Sequence, residues 1–254
     1  MNIKLKALGC VLLTNLLLAL SIQPAMAAQS IVGSKHDFTA TATPAVAWTG
    51  NRICAACHTP HGGDTTNIGV MWSHTNTAAT TFTPYLNANG SLETGNALPN
   101  ASPMSAGTKL CLSCHDGTIA LDSFIKGPAT PSSGLISNAN KITNDLRGTH
   151  PIGIKYTPAI ATSDGALYDP DNTIITIGSG TVGAGNARSG TIKAMILYGA
   201  AKDTLECASC HDVHNTFANG GAGTGLVKLT NISATNGGPS ATAGGQLCLN
   251  CHRK

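Results

Sequence analysis

The stretch CAACHTPHG, residues 54–62, holds the pattern on which the chain is organised: two cysteines separated by two residues, then a histidine. The pattern C-x-x-C-H returns as CLSCH at 111–115, CASCH at 207–211 and CLNCH at 248–252. These copies take eight of the nine cysteines: Cys54, Cys57, Cys111, Cys114, Cys207, Cys210, Cys248 and Cys251. His58, His115, His211 and His252 close them. At this chain's cysteine and histidine content, one such string arises by chance about once in 100 sequences of this length. Four copies are not chance.

Other readings of the cysteines fit less well. Zinc needs four ligands and has no use for a histidine directly after every second cysteine. Disulfides suit an exported chain, but repeated C-x-x-C loops resemble redox or metal motifs more than staples. A thioredoxin-type motif occurs once, inside a βαβ pattern that this sequence lacks. C-x-x-C-H attaches c-type haem: two thiols a helical turn apart reach the two vinyl groups, and the next imidazole lies under the iron. The spacing implies four covalent haem c groups, with His58, His115, His211 and His252 as proximal iron ligands. No cysteine is left over but Cys10.

Composition points the same way. Aromatics are 4% and charged residues 11% of the 254, with 29 glycines and 12 prolines. Soluble domains carry about 25% charged residues. A formal charge of +3 without a Lys/Arg cluster excludes a nucleic-acid partner. So little aromatic bulk predicts that cofactors, rather than a large side-chain core, fill the middle. The expected fold is a loop-rich, mostly irregular multihaem unit, with short helices at the motifs and a few short strands.

Residues 1–27 read as a cleaved export signal: Lys4 and Lys6, an apolar stretch, then Ala25-Met26-Ala27. Cys10 lies too early for a lipid-attachment cysteine. Residues 28–254 then form one tetrahaem domain, with no membrane span after cleavage. Without Lys4 and Lys6 the formal charge is +1, and four ferric haems add about −1 each. The mature protein is expected to be mildly acidic.

Four irons need four more axial ligands, and His36, His61, His74, His150 and His214 are available. An iron with both axial positions filled by protein transfers electrons and binds no substrate. The supply therefore argues for electron transfer and against an enzyme. Met71, Met104 and Met195 are alternative ligands that would raise a haem's potential. His61 and His214 each lie three residues beyond a proximal histidine. Three residues span at most about 10 Å, too little to round the macrocycle, so each must serve a haem other than its neighbour. His74 has the least constrained position and is the expected surplus. The distal candidates are His36, His61, His150 and His214.

Helices are expected to start near Thr108, Thr204 and Gln246, each running into a motif. Residues 173–177, TIITI, read as a strand, and 193–200 as a strand or short helix. Residues 220–245 read as loop.

The segments HDF at 36–38, CAACHTPHG at 54–62, MWSH at 71–74, CLSCHDGTIAL at 111–121 and THPIG at 149–153 are followed by CASCHDVHN at 207–215 and CLNCH at 248–252. This ordered set resembles the OmcE-type tetrahaem cytochromes, which polymerise into extracellular filaments. The resemblance covers nearly the whole mature chain. It implies bis-histidine haems stacked in series along a homopolymer, outside the cell, with one axial histidine donated between subunits. Carried onto this sequence, that donor is His61. Only Arg253 and Lys254 follow the fourth motif, which leaves its haem to be covered from elsewhere. Other redox cytochromes or extracellular acceptors are the implied partners. The alternative is a monomeric shuttle, periplasmic or at the outer surface.

Overall fold

Capping side chains and glycines divide the chain into short elements. The computed structural model describes residues 31–39, 52–64, 71–77, 79, 81–83, 85, 105–126, 134–178, 187–214, 216, 228 and 248–253. The export signal, Met104, the helix start near Gln246, and 220–245 apart from Lys228 lie outside the described residues.

Helix α1, Ala106–His115, begins where Ser105 accepts a hydrogen bond from the Thr108 amide at 3.1 Å, as N-cap serines do. It stops at Asp116, where Gly117 turns the chain with a φ of +75°, the left-handed exit that glycine adopts without penalty. Helix α2, Pro158–Asp164, has Thr157 as its cap and proline in its first turn. Helix α3, Ile192–Ile196, is capped by Thr191, so 192–196 is helix rather than strand. Helix α4, Cys207–Cys210, is a single turn.

Four strands form two antiparallel pairs. β1, Ile154–Lys155, pairs with β4, Thr204–Leu205, and β2, Ile174–Ile177, pairs with β3, Arg188–Thr191. The helix expected from Thr204 therefore begins later, at Cys207. Thr204 and Leu205 are held extended by partners on β1, with Gly153 and Tyr156 donating to Leu205 and Asp203 at 2.7 Å. Ladder bonds to a distant segment override the local helical pattern. In β2 the side chains of Ile175 and Ile177 point inward while Ile174 is exposed, the alternation a half-buried strand requires.

The apolar interior is divided into three clusters. The largest gathers Tyr156, Ala161, Ile175, Ile177, Ile192, Ile196, Leu197 and Leu205, with Cys210 and Cys251 packed against it. The second is Ala56 with Phe124, against Cys57. The third pairs Leu112, inside the second motif, with Leu146. Full burial of Ile192, Ile196 and Leu197 contributes about 2 kcal/mol each. Every cluster thus rests against a C-x-x-C-H segment and fixes its position. Among the described residues, no helix is long and apolar enough to cross a membrane.

Candidate metal centres

Each motif is one helical turn, but each is fixed by different means. The first begins in a 3₁₀ turn, Ile53–Ala56, and His58 donates its amide to Cys54 at 2.8 Å. Residues 71–73 run beside it: Thr59 donates to Met71, Asp64 to Trp72, and Ser73 to Cys57, all at 2.9 Å. Gly63 permits that approach, since a Cβ there would lie 2.7 Å from the Met71 carbonyl carbon. The second motif is the C-terminal part of α1. The third is α4, delivered by β4. In the fourth, His252 donates to Cys248 at 2.9 Å, while Tyr168 donates to Cys251 and Arg253 to Ala166, both at 2.8 Å. Upstream chain at 166–168 thereby packs against the fourth motif.

The motif sulfurs meet in chain order. The thiols of Cys57 and Cys114 are close enough for the charge of one to act on the other. Cys111 and Cys207 share a hydrogen bond that pushes the first well up and the second down. Cys210 and Cys251 adjoin across the largest apolar cluster, and burial pushes Cys251 up to about 12. Motif one thus touches two, two touches three, and three touches four. All eight are free thiols.

The imidazoles meet in pairs. The rings of His58 and His214 have centroids 6.2 Å apart with planes at 14°. His115 and His36 are separated by 6.1 Å at 53°, and His252 and His150 by 6.5 Å at 79°. Two imidazoles on opposite sides of one metal ion, with bonds of about 2.0 Å, place their centroids about 6.3 Å apart. The residues fit an axially ligated iron at three motifs. Among the described residues no group of three or more His, Cys, Asp or Glu side chains surrounds a common point.

The tautomers agree with this. The Nδ1 atoms of His115 and His150 lie 2.9 Å from the Asn140 carbonyl and 3.0 Å from the Pro151 carbonyl. A proton held there leaves Nε2 with a lone pair for metal. His36 is lowered to about 4 by burial, then by the charges of His115 and His211. It is neutral at physiological pH, the form a metal ligand takes. Its Nδ1 is buried without a hydrogen-bond partner among the described residues. Neither a protein-family model nor any curated protein matches this sequence.

The remaining histidines divide differently. His214, three residues beyond His211, faces the first motif and not its own. His61 is exposed, and among the described residues nothing hydrogen-bonds to or stacks on its ring. His211 lies near His36, on which its charge acts. His74 is buried, with Nδ1 2.8 Å from the Thr75 carbonyl and Nε2 3.0 Å from the Ala120 carbonyl. A neutral imidazole has one N–H, so it donates to one of these carbonyls, and Cys114 Sγ also approaches Nε2 at 3.6 Å. Of the methionines raised as ligands, Met71 is exposed and Met195 packs on Gly190. Sequence reasoning missed the polar junction of Ser105, Thr108 and Glu206. These residues are about 100 positions apart in the chain, and no local signal connects them.

Proposed function

We propose that the chain carries four covalently attached haem c groups and conducts electrons along them, and that copies polymerise into an extracellular filament. The observation carrying this reading is the facing of His58, His115 and His252 by His214, His36 and His150 at separations an axially ligated iron requires. Cys54 and Cys57, Cys111 and Cys114, Cys207 and Cys210, and Cys248 and Cys251 would form the thioethers. His211 would serve as the proximal ligand of the third group.

Haem iron supplies reversible one-electron exchange. The protein's part is positional. His214, His36 and His150, facing His58, His115 and His252, would hold iron from its second side at three motifs and leave substrate no place there, so no enzymatic turnover is expected. The neighbouring motif sulfurs would keep successive groups close, from the first motif to the fourth. His61, exposed and three residues past His58, would reach a neighbouring subunit. Polymerisation would then couple to ligation, with a metal–imidazole bond fixing each interface.

Two measurements test this. The haem-to-protein ratio of the exported protein should be four, with low-spin spectra. His61→Ala should leave attachment and monomer folding intact, abolish or shorten filaments in micrographs, and turn one haem in four high-spin. Four low-spin haems in an isolated wild-type monomer would favour the shuttle reading. A protein with no covalent haem would end both.

A further inference from the structure

The carboxylate of Glu206 is buried, 5% exposed, at the junction between the second and third motifs. Its Oε2 accepts hydrogen bonds from the hydroxyls of Ser105, at 2.6 Å, and Thr108. Its Oε1 is buried with no hydrogen-bond partner among the described residues. No lysine or arginine forms an ion pair with it there. The backbone fixes it firmly: its amide donates to Ser209 Oγ at 2.9 Å, and its carbonyl accepts from the Ser209 amide. Ser105 is the N-cap of α1 and Glu206 precedes the first residue of α4, so one carboxylate ties together the helices that carry both motifs.

Burying a carboxylate with one unpaired oxygen opposes folding. Its field, however, acts through a low-dielectric interior on whatever adjoins it. The two adjoining thiols feel it: Cys111 is raised chiefly by its hydrogen bond with Cys207 and by burial, with the Glu206 charge adding to the rise, and the same charge opposes the lowering that this hydrogen bond gives Cys207. Those are the first cysteines of motifs two and three, where macrocycle edges would be bonded. A ferric centre carries one more positive charge than a ferrous one, so a nearby buried anion favours the oxidised form.

We propose that Glu206 sets potential: its buried carboxylate lowers the reduction potentials of the second and third haems of the series. This rests on the four-haem reading above. It adds a gradient to the wire, in which the middle pair is harder to reduce than it would be without that charge. Glu206 is a positioning and tuning residue and ligates nothing.

The test is a spectroelectrochemical titration of the purified holoprotein, comparing wild type with E206Q and E206D at matched haem content. E206Q keeps an acceptor and removes the charge, so two of the four reduction waves should move to higher potential while the other two stay. E206D keeps the charge, so its waves should stay near wild type. Unchanged waves in E206Q, all four moving together, or an equal shift in E206D would overturn the proposal. So would a protonated-carboxyl infrared band in wild type that E206Q abolishes. If E206Q does not accumulate with four haems, S105A carries the test. Losing a donor to Oε2 leaves more uncompensated charge, and the same two waves should fall; no movement would overturn the idea. Wild-type protein without four covalent haems would instead overturn the four-haem reading itself.

Discussion

His214 lies across from His58, ring centroids 6.2 Å apart and planes 14° from parallel, although it follows the third motif and His58 closes the first. A histidine three residues beyond the third motif therefore faces the first. One short turn, 211–214, brings the third motif's histidine and the first motif's facing histidine side by side.

His214→Ala should leave all four groups attached, because no cysteine is touched. One in four should turn five-coordinate and high-spin and bind carbon monoxide after reduction. H36A and H150A should each do the same at another iron. A wild-type-like spectrum in all three variants would show that these pairs are not ligands.

His74→Ala should behave in the opposite way. Its ring nitrogens lie against the carbonyls of Thr75 and Ala120, so the variant should keep four low-spin centres. Leaving the carbonyl that His74 donates to without its donor should lower stability by about 1–3 kcal/mol, read as a reduced denaturant midpoint. A new high-spin signal would make His74 a ligand after all.

Lys155 donates to Asp203 at 2.6 Å across the β1–β4 pair, and this hydrogen bond holds Asp203 below the usual carboxylate range. A carboxylate lowered by folding stabilises the protein above its unfolded value, about 3.9. That stability is lost as pH falls through the lower folded value. D203N should cost about 0.5–1 kcal/mol at pH 7, as part-exposed pairs do. The difference from wild type should shrink as pH falls below about 3.9 and close once Asp203 is protonated in both states. A gap that persists there would assign the effect to packing.

Gly63→Ala should destabilise the first motif, since the new Cβ meets the backbone of Met71 and Trp72 at 2.7 and 2.8 Å and neither can move aside cheaply. A loss of about 1–3 kcal/mol is expected. Gly134→Ala is a useful contrast: nothing lies within 4 Å of its added Cβ, so only its positive φ is strained. Equal losses in the two would mean that the close approach at Gly63 is not what matters.

The four C-x-x-C-H segments were legible because each is local: Cys54, Cys57 and His58 share one turn of chain, and so do their three counterparts. The three-residue reach that bars His214 from its own neighbour is likewise a property of chain length alone. The strand read at 173–177 is found at Ile174–Ile177, because a short β-branched run carries its own preference. Thr204 was misread because its conformation is set by β1, about 50 residues upstream, and not by its neighbours.

The sequence by itself determined the four C-x-x-C-H segments, since each is a pattern of neighbouring residues. Only the tertiary structure decided which histidine faces which: His36 to His115, His214 to His58, and His150 to His252. It alone buried His74 against the carbonyls of Thr75 and Ala120 and buried Glu206 between two motifs. A facing partner or a buried charge is a relation between segments distant in the chain. Packing of the intervening loops brings such segments together, and no short stretch of residues encodes it.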